Sequence, residues 1–269
     1  MTLDNYIKEL LSKGKGYFTT QEAVEALQIT NAALRVRIHR LKNLGEIVSP
    51  ARNLFVAVAP EYRSLGCVPA AELAIILMKF WKQKYYAGLL TAALYHGASH
   101  QKPQIFQTIV DKQISPIVIG KVAIEFVFKK SLDGLPTQPI EAKSGYLQIS
   151  SPEVTAMDLI VYSHRVGGIN AIATVLSELV EVLDPEKLVL LAQTLKGKVW
   201  VQRLGWLLEQ IDTLDNEKRD TILNALQVYL GNHRLFYTPV TPELETAECS
   251  RNKKWMIIEN TSVESDYDT

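Results

Sequence analysis

The sequence is short of the features that mark several large classes of protein. Its two cysteines, Cys67 and Cys249, lie far apart and lack the spacing of a metal site. One disulfide between them is conceivable, but a reduced chain is the simpler expectation. The most apolar run, AAELAIILMKFW, is shorter than the ~20 residues that a membrane-spanning helix needs. The N-terminus has no basic-then-apolar signal pattern, so we expect a cytoplasmic protein without membrane contact.

Signatures of catalysis are also missing. The chain contains no GxxxxGK, GxGxxG or HExxH motif. His96 and His100 lie four residues apart, a spacing that could suit a metal, but Gly97 is expected to end the helix between them. A packed imidazole at a helix end is the simpler interpretation of His96. We therefore expect no catalytic residues, no metal and no cofactor, and hence no enzyme.

The charge is balanced overall and uneven along the chain. Lysine and arginine total 29, as do aspartate and glutamate. Residues 1–60 nevertheless carry eight cations against five anions, and residues 30–52 carry five cations against Glu46 alone. A local basic surface on a neutral protein indicates a polyanionic partner at one face.

The first 60 residues have the pattern of three short helices followed by a β-hairpin. Apolar residues recur at helical spacing from Tyr6 until Gly14. Thr19 or Thr20 is expected to cap the second helix, and Thr30 or Asn31 the third. The segment EIVSPARNLFVAVAP is typical of two strands around a Ser-Pro-Ala-Arg-Asn turn. This order predicts a winged helix-turn-helix.

The third helix combines one apolar face with several cations. Leu34, Ile38 and Leu41 recur at the spacing of a buried stripe. Asn31 and Arg35 are best placed for base edges, since asparagine pairs with adenine and arginine with guanine. The complete predicted DNA-binding set, with Arg52 at the hairpin tip, is Thr30, Asn31, Arg35, Arg37, His39, Arg40, Lys42 and Arg52.

Within that set, two flanks of the helix are distinguished. Arg35, His39 and Lys42 share one flank, and Arg37 and Arg40 lie on the other. Lys13 and Lys15 are candidates for further contacts with the phosphate backbone. Basic residues also simply solvate helices, and winged helices also dock proteins, so both alternatives stay open.

The rest of the chain predicts a mixture of helices and strands. PAAELAIILMKFWKQ and YYAGLLTAALYHGASHQKP are expected to be helical, and QIFQTIV, ISPIVIG, KVAIEFVFKK and YLQIS to be strands, with LDGLPTQPIEAKSG as a loop. Ser151 and Pro152 are typical of a helix start, and four further amphipathic helices precede a last strand in KKWMIIEN. The predicted fold class is α+β. A winged helix-turn-helix at 1–60 precedes a small sheet packed with a helix cluster at 61–262, and an acidic tail spans 263–269.

These segments, taken in order, resemble the AbiEi-type antitoxins of the abortive-infection AbiE systems, which are type IV toxin–antitoxin systems of phage defence. The likeness rests on TTQEAVEAL, LRVRIHRLKNLGEIV, YYAGLLTAALYHGASHQKP, SPEVTAMDLIVYSHRVGGINAIATVLSEL and VWVQRLGWLLE, and it covers nearly the whole chain. One departure concerns the wing. SPARNLF has no glycine where relatives often have Arg-Gly-x-Tyr.

The resemblance implies a protein with two roles. The N-terminal winged helix would bind double-stranded DNA at inverted repeats ahead of its own operon and repress transcription. The C-terminal domain would counteract a nucleotidyltransferase toxin encoded next door, without a stable toxin–antitoxin complex.

Two alternatives from other classes remain open. One is a nuclease tethered to DNA by the winged helix, which would need a metal held by carboxylates such as Glu125, Glu141 and Asp158. The segment IEAK, with Glu141 and Lys143, resembles the end of the Asp…Glu-x-Lys pattern of many nucleases. The other alternative is a transcriptional regulator whose C-terminal domain senses a small ligand.

Overall fold

The first sixty residues form helices and a hairpin in the order that their caps and apolar spacing predict, with one additional strand. A computed structural model describes residues 1–99, 103–213 and 215–263. The elements of this segment are α1 (Leu3–Ser12), β1 (Tyr17–Thr19), α2 (Thr20–Leu27), α3 (Asn31–Asn43), β2 (Ile47–Ala51) and β3 (Leu54–Ala57). The strand β1 is the addition, and it pairs antiparallel with β3 in a sheet of order β1-β3-β2.

Side-chain caps fix the starts of α2 and α3. The Thr19 hydroxyl accepts a hydrogen bond from the Glu22 amide, and the Glu22 carboxylate accepts one from the Thr19 amide. This reciprocal capping box satisfies amides that the first turn of a helix leaves unpaired. Thr30 caps α3 by accepting from the Ala33 amide at 3.2 Å. The sequence left Thr19 or Thr20 as the cap of α2, and Thr30 or Asn31 as the cap of α3. In the structure the cap residues are Thr19 and Thr30.

The hairpin turn is shorter than the predicted five-residue turn. Ser49, Pro50 and Ala51 belong to β2, which has an irregular register between Val48 and Ala51. The chain reverses at Arg52 and Asn53, and Asn53 has a left-handed backbone with φ of +64°. Asparagine tolerates this conformation better than most residues with a side chain. Asn53 therefore provides the left-handed residue of this turn without a glycine.

The three-stranded sheet has two buried faces. One face packs with α1, α2 and α3 around Phe18, whose ring lies 5.7 Å from Tyr6 and 5.4 Å from Phe55, centroid to centroid. The opposite face contributes Leu54 and Val56 to a second cluster. That cluster is completed by buried residues from later in the chain: Cys67, Val68, Leu73, Ala74, Ile76, Leu77, Met78, Val110, Val122, Ile124 and Phe126.

Most residues of a six-stranded sheet belong to the same compact unit, which comprises Met1–Ala87, Gln104–Leu132 and Pro139–Ile149. Helix α4 (Ala70–Trp81) precedes it, as predicted. The strands are β4 (Tyr85–Ala87), β5 (Phe106–Val110), β6 (Ile117–Ile119), β7 (Val122–Phe128), β8 (Thr137–Ala142) and β9 (Gly145–Ser150), in the order β6-β7-β5-β4-β9-β8. Four of these strands were predicted from their β-branched runs.

The other two strands correct the sequence interpretation. Tyr85–Ala87 is β4, inside the sheet, and only the later part of the predicted helix is helical, as α5 (Leu89–Tyr95). Thr137–Ala142 is β8, at one edge of the sheet, inside the segment predicted to be a loop. Pro139 fits there because proline cannot donate to a ladder and is tolerated on edge strands.

The second compact unit comprises Gly88–Pro103, Asp133–Gln138 and Ser150–Thr269. After α5 its helices are α6 (Pro152–Val161), α7 (Ile169–Leu179), α8 (Pro185–Leu195), α9 (Val199–Gln210) and α10 (Asn216–Gly231). The predicted start of α6 is confirmed, because Ser151 accepts from the Val154 amide and Pro152 opens the helix. The tandem Gly167 and Gly168 both have positive φ, as a tight turn before α7 requires.

A small sheet ends this unit. The predicted last strand is β12 (Ile257–Glu259), and it lies between β10 (Thr238–Pro239) and β11 (Ser250–Asn252), neither of which was predicted. Both cysteines are free thiols. The α+β fold class is confirmed. The division into a DNA-binding domain at 1–60 and an effector domain at 61–262 stays a prediction. In the predicted acidic tail, 263–269, only the first residue lies within the described part of the chain.

Candidate nucleic-acid interface

Helix α3 separates an apolar face from a basic one. Leu34, Ile38 and Leu41 are buried against α1 and α2, as their spacing predicts. Every cation of the helix is exposed, and so is Arg52 in the hairpin turn. The sequence alone predicted this division, because a helix with one buried stripe presents its remaining positions to solvent.

The cations of α3 have no acidic partner in the part of the chain that the structure describes. Within residues 1–99, 103–213 and 215–263, no carboxylate forms an ion pair with Arg35, Arg37, Arg40, Lys42 or Arg52. His39 Nδ1 lies 3.3 Å from the Asn43 amide nitrogen. These side chains therefore remain available to an external anion.

The lysines of the α1–β1 segment differ in this respect. Lys13 pairs with Glu9, and Lys15 pairs with Glu22 while its ammonium lies 5.3 Å from the centre of the Tyr17 ring. Burial raises the pKa of the Glu22 carboxyl, but hydrogen bonds from Lys15 and Thr19 together outweigh it, so the net pKa is lowered. Lys13 and Lys15 are thus weaker candidates for phosphate contacts than the cations of α3.

One flank of α3 borders a cleft of about 880 Å³. Among the predicted DNA-binding residues, it is lined by Asn31, Arg35, His39 and Lys42. Arg37 and Arg40 do not line it, which agrees with the predicted division of the helix into two flanks. The opposite wall includes Thr20, Gln21 and Glu25 of α2, Asn53 and Phe55 of the hairpin, and Phe80 of α4. Sequence reasoning missed this cleft, because it depends on tertiary packing.

The hairpin turn is tied to the start of α2. The Thr20 amide donates to the Asn53 carbonyl at 3.1 Å, and the Thr20 hydroxyl donates to the Asn53 side-chain oxygen at 3.3 Å. These two bonds position the turn that carries Arg52. Asn53 is therefore a positioning residue that the sequence interpretation did not single out. Its signal was an asparagine at the point where the strands reverse.

His96, one of the two histidines considered for a metal, contacts the main chain. His96 Nε2 lies 2.8 Å from the Ser150 carbonyl oxygen, and burial lowers the pKa of His96 although that hydrogen bond and Glu153 oppose the change. His100 lies outside the described residues, so the four-residue pair is not tested. Among the residues that the structure describes, no group of three or more histidine, cysteine or acidic side chains could hold a metal ion.

The three carboxylates proposed for a nuclease have separate surroundings. Glu125 accepts a hydrogen bond from Gln107 at 3.3 Å in the six-stranded sheet, and Glu141 is exposed on β8. Asp158 is fully buried on α6, where it adds to the effect of burial in raising the pKa of Tyr162 to about 12. The Lys143 ammonium lies 3.0 Å from the Tyr62 hydroxyl.

The QRLGWLLE segment has a structural role in the second unit. A Cβ on Gly205 would lie 2.1 Å from the Trp255 ring, so the glycine makes room for this indole. Glu209 accepts from the Trp255 indole nitrogen at 2.7 Å, and Arg203 donates to the Pro239 carbonyl at 2.9 Å. These contacts join α9 to the small C-terminal sheet.

Comparisons with known proteins agree with this architecture. Residues 86–210 match the family model of the AbiEi antitoxin C-terminal domain. The crystal structure of the RV2827C protein from Mycobacterium tuberculosis superposes with a TM-score of 0.64 at 15% identity, covering 94% of this chain and 89% of that chain. At this identity the likeness establishes the fold alone. No curated protein sequence matches the chain.

The matched segment begins inside β4 and ends with α9, so it includes the interior of the six-stranded sheet and most helices of the second unit. No helix in the described residues has the length and apolar character needed to cross a membrane. The segments YYAGLLTAALYHGASHQKP and SPEVTAMDLIVYSHRVGGINAIATVLSEL, on which the resemblance rested, fall almost entirely within the match. Residues 86–210 therefore form an AbiEi antitoxin C-terminal domain, and this match supports an AbiEi-type antitoxin of a toxin–antitoxin system.

Proposed function

We propose that this antitoxin is also a DNA-binding autorepressor, and that residues 1–60 are its winged helix-turn-helix. The observation that carries the proposal is the set of exposed cations on α3 that no carboxylate of the described residues pairs with. Unpaired cations held on a rigid helix cost little to bring to phosphates, because no internal ion pair has to break. The order of helices and hairpin in this segment is that of a winged helix.

The proposed roles follow from position along α3. Asn31 and Arg35 lie near its N-terminal end, where a recognition helix meets base edges. Arg40 and Lys42 lie in its last turn and would contact phosphates, as would Arg52 from the hairpin turn. The proposed contact set is Thr30, Asn31, Arg35, Arg37, His39, Arg40, Lys42 and Arg52.

The second role concerns the toxin. We propose that the partner is a nucleotidyltransferase encoded beside this chain and that it is neutralised in the cytoplasm without a stable complex. The antitoxin family supports a toxin partner, and the enzyme class of that toxin rests on the resemblance. On this proposal the chain itself is not a catalyst, and it needs neither metal nor cofactor.

The DNA contact is tested by comparing Arg35→Ala with Arg40→Ala in the full-length chain. The probe is a duplex that spans the DNA immediately ahead of the encoding gene, beside a scrambled duplex of equal length. Arg35→Ala is expected to lose ~1–3 kcal/mol of binding to the upstream duplex and to reduce the preference for it. Arg40→Ala is expected to weaken both duplexes about equally and to reduce the slope of affinity against salt, as a phosphate contact does.

Lys121→Ala is the matched control, since it removes one exposed cation from the turn between β6 and β7. It should bind both duplexes like the wild type. If Arg35→Ala keeps the affinity and preference of the wild type in gel-shift titrations, the assignment of α3 to a DNA groove is wrong. The same variants are expected to protect cells from the co-expressed toxin, because antitoxicity is assigned to the C-terminal domain.

A further inference from the structure

A second cleft in the first compact unit is lined by a carboxylate that is almost completely buried. The cleft has a volume of about 340 Å³. Glu72 of α4 lines it with only 9% of the residue exposed. Its Oε1 accepts from the Lys143 amide at 2.8 Å, whereas Oε2 is buried and has no hydrogen-bond partner in the described part of the chain. A buried carboxylate oxygen left in this way is costly, so this position favours a ligand that donates to it.

The nearest cation does not meet this need. The Lys143 ammonium lies 3.0 Å from the Tyr62 hydroxyl and 3.7 Å from Glu61 Oε1, both at the rim of the cleft. It also lies 5.1 Å from the centre of the Tyr62 ring, and its side chain is 70% exposed. Glu61 and Glu72 thus share one nearby cation, Lys143. The Lys143 ammonium contacts Tyr62 and Glu61 at the rim of the cleft.

The remaining walls are small and largely apolar. They are formed by Leu11, Gly14, Gly16, Ala57, Ala59 and Val68, with the Ser144 residue beside Lys143. A volume of 340 Å³ is at the lower end for ligand sites, which suits a molecule of a few heavy atoms. The carboxylate disfavours an anion. A metal ion is disfavoured too, since no cluster of three or more candidate ligands occurs among the described residues.

We propose that this cleft binds a small aliphatic amine. Its ammonium group would donate to Glu72 Oε2, and its methylene groups would lie along Ala57, Ala59 and Val68. A diamine would place its second ammonium near Glu61 at the rim. This inference does not depend on DNA binding, and its test contains no nucleic acid.

The test is isothermal titration of the full-length chain with n-butylamine, putrescine and 1-butanol. The two amines are expected to bind, and the neutral alcohol of similar size is not. Glu72→Gln is expected to weaken amine binding about tenfold or more, because it removes the charge that the ammonium meets. Ala59→Leu fills the cleft from its wall and is expected to abolish binding while it leaves Glu72 in place.

Glu141→Gln is the matched control, since it removes an exposed carboxylate from the neighbouring strand β8. It should bind the amines like the wild type. The proposal is overturned if neither amine binds at millimolar concentration, or if 1-butanol binds as well as n-butylamine. It is also overturned if Ala59→Leu, folded by circular dichroism, binds the amines unchanged. The comparison of Ala59→Leu with the wild type still tests the proposal if Glu72→Gln fails to fold.

Discussion

His96 shows how a single buried side chain makes stability depend on pH. Burial lowers its pKa from the ordinary value, and the Ser150 carbonyl accepts from its ring nitrogen at 2.8 Å. Between the folded and unfolded pKa values, the unfolded chain binds more protons at this residue. The contribution of His96 to stability is therefore present above the unfolded value, near pH 6.5, and is lost as the pH falls.

We predict that His96→Gln makes the free energy of unfolding less sensitive to pH. The glutamine amide can still donate to Ser150 but does not titrate. The measurement is urea unfolding at pH 7.5 and pH 5.0 for wild type and variant, where the wild type is expected to lose more stability on acidification. His164→Gln, at an exposed histidine, is the control and should behave like the wild type. An equal loss in the wild type and His96→Gln would show that other groups determine the acid response.

For individual residues of the candidate interface, the sequence predicted exposure but not every contact. Arg35 and Arg40 were placed correctly on exposed faces because helical spacing fixes which residues face away from Leu34 and Ile38. Asn53 was missed, because its left-handed backbone and its bonds to Thr20 depend on where the two strands meet. The local sequence pattern therefore predicts which side chains are exposed. It does not predict contacts between residues that are distant in sequence.

At the level of elements, the start of α3 depends on one hydroxyl. Thr30 accepts from the Ala33 amide at 3.2 Å. We predict that Thr30→Ala lowers the free energy of unfolding by ~0.5–2 kcal/mol, the usual cost of losing such a cap. Thermal or urea unfolding of the full-length chain measures it.

Thr30→Asp separates this structural role from the proposed DNA contact. Aspartate is as good a cap and also favours the positive end of the helix, so stability should be retained. Its negative charge would repel phosphates, so DNA affinity should fall. Unchanged stability in Thr30→Ala would show that the cap contributes nothing measurable.

The helices were predicted better than the strands for a physical reason. Helices α6 and α8 have cap residues and prolines at their starts, Ser151 with Pro152 and Asp184 with Pro185, and these signals are local. Strand β4 has only three residues, too few to show a period, and it is held by pairing with β5 and β9. Strand β8 lies at an edge with mostly exposed residues, so it lacks the apolar alternation that marks a half-buried strand.

At the level of the molecule, the sheet of the first sixty residues is covered on both faces. Alternation along β3 directs Phe55 toward the core of α1, α2 and α3, and Leu54 and Val56 toward the cluster completed by later residues. The sequence pattern indicated that this strand is apolar, but it could not indicate which distant segments cover its second face. The compact unit accordingly extends beyond residue 60, to Ala87 and on into the six-stranded sheet.

This shared core predicts that residues 1–60 do not form an independently stable domain. Removing the rest of the chain would expose Leu54 and Val56, which are fully buried in the intact protein, together with part of Tyr17 and Val48. Because small domains are only marginally stable, uncovering one face of a three-stranded sheet should abolish cooperative unfolding. Circular dichroism melts of the fragment and the full-length chain provide the comparison, with the fragment expected to show a broad transition and to bind DNA weakly. A sharp melt of the fragment within a few degrees of the full chain would mean that the second face contributes little, and that the first three helices and the hairpin fold on their own.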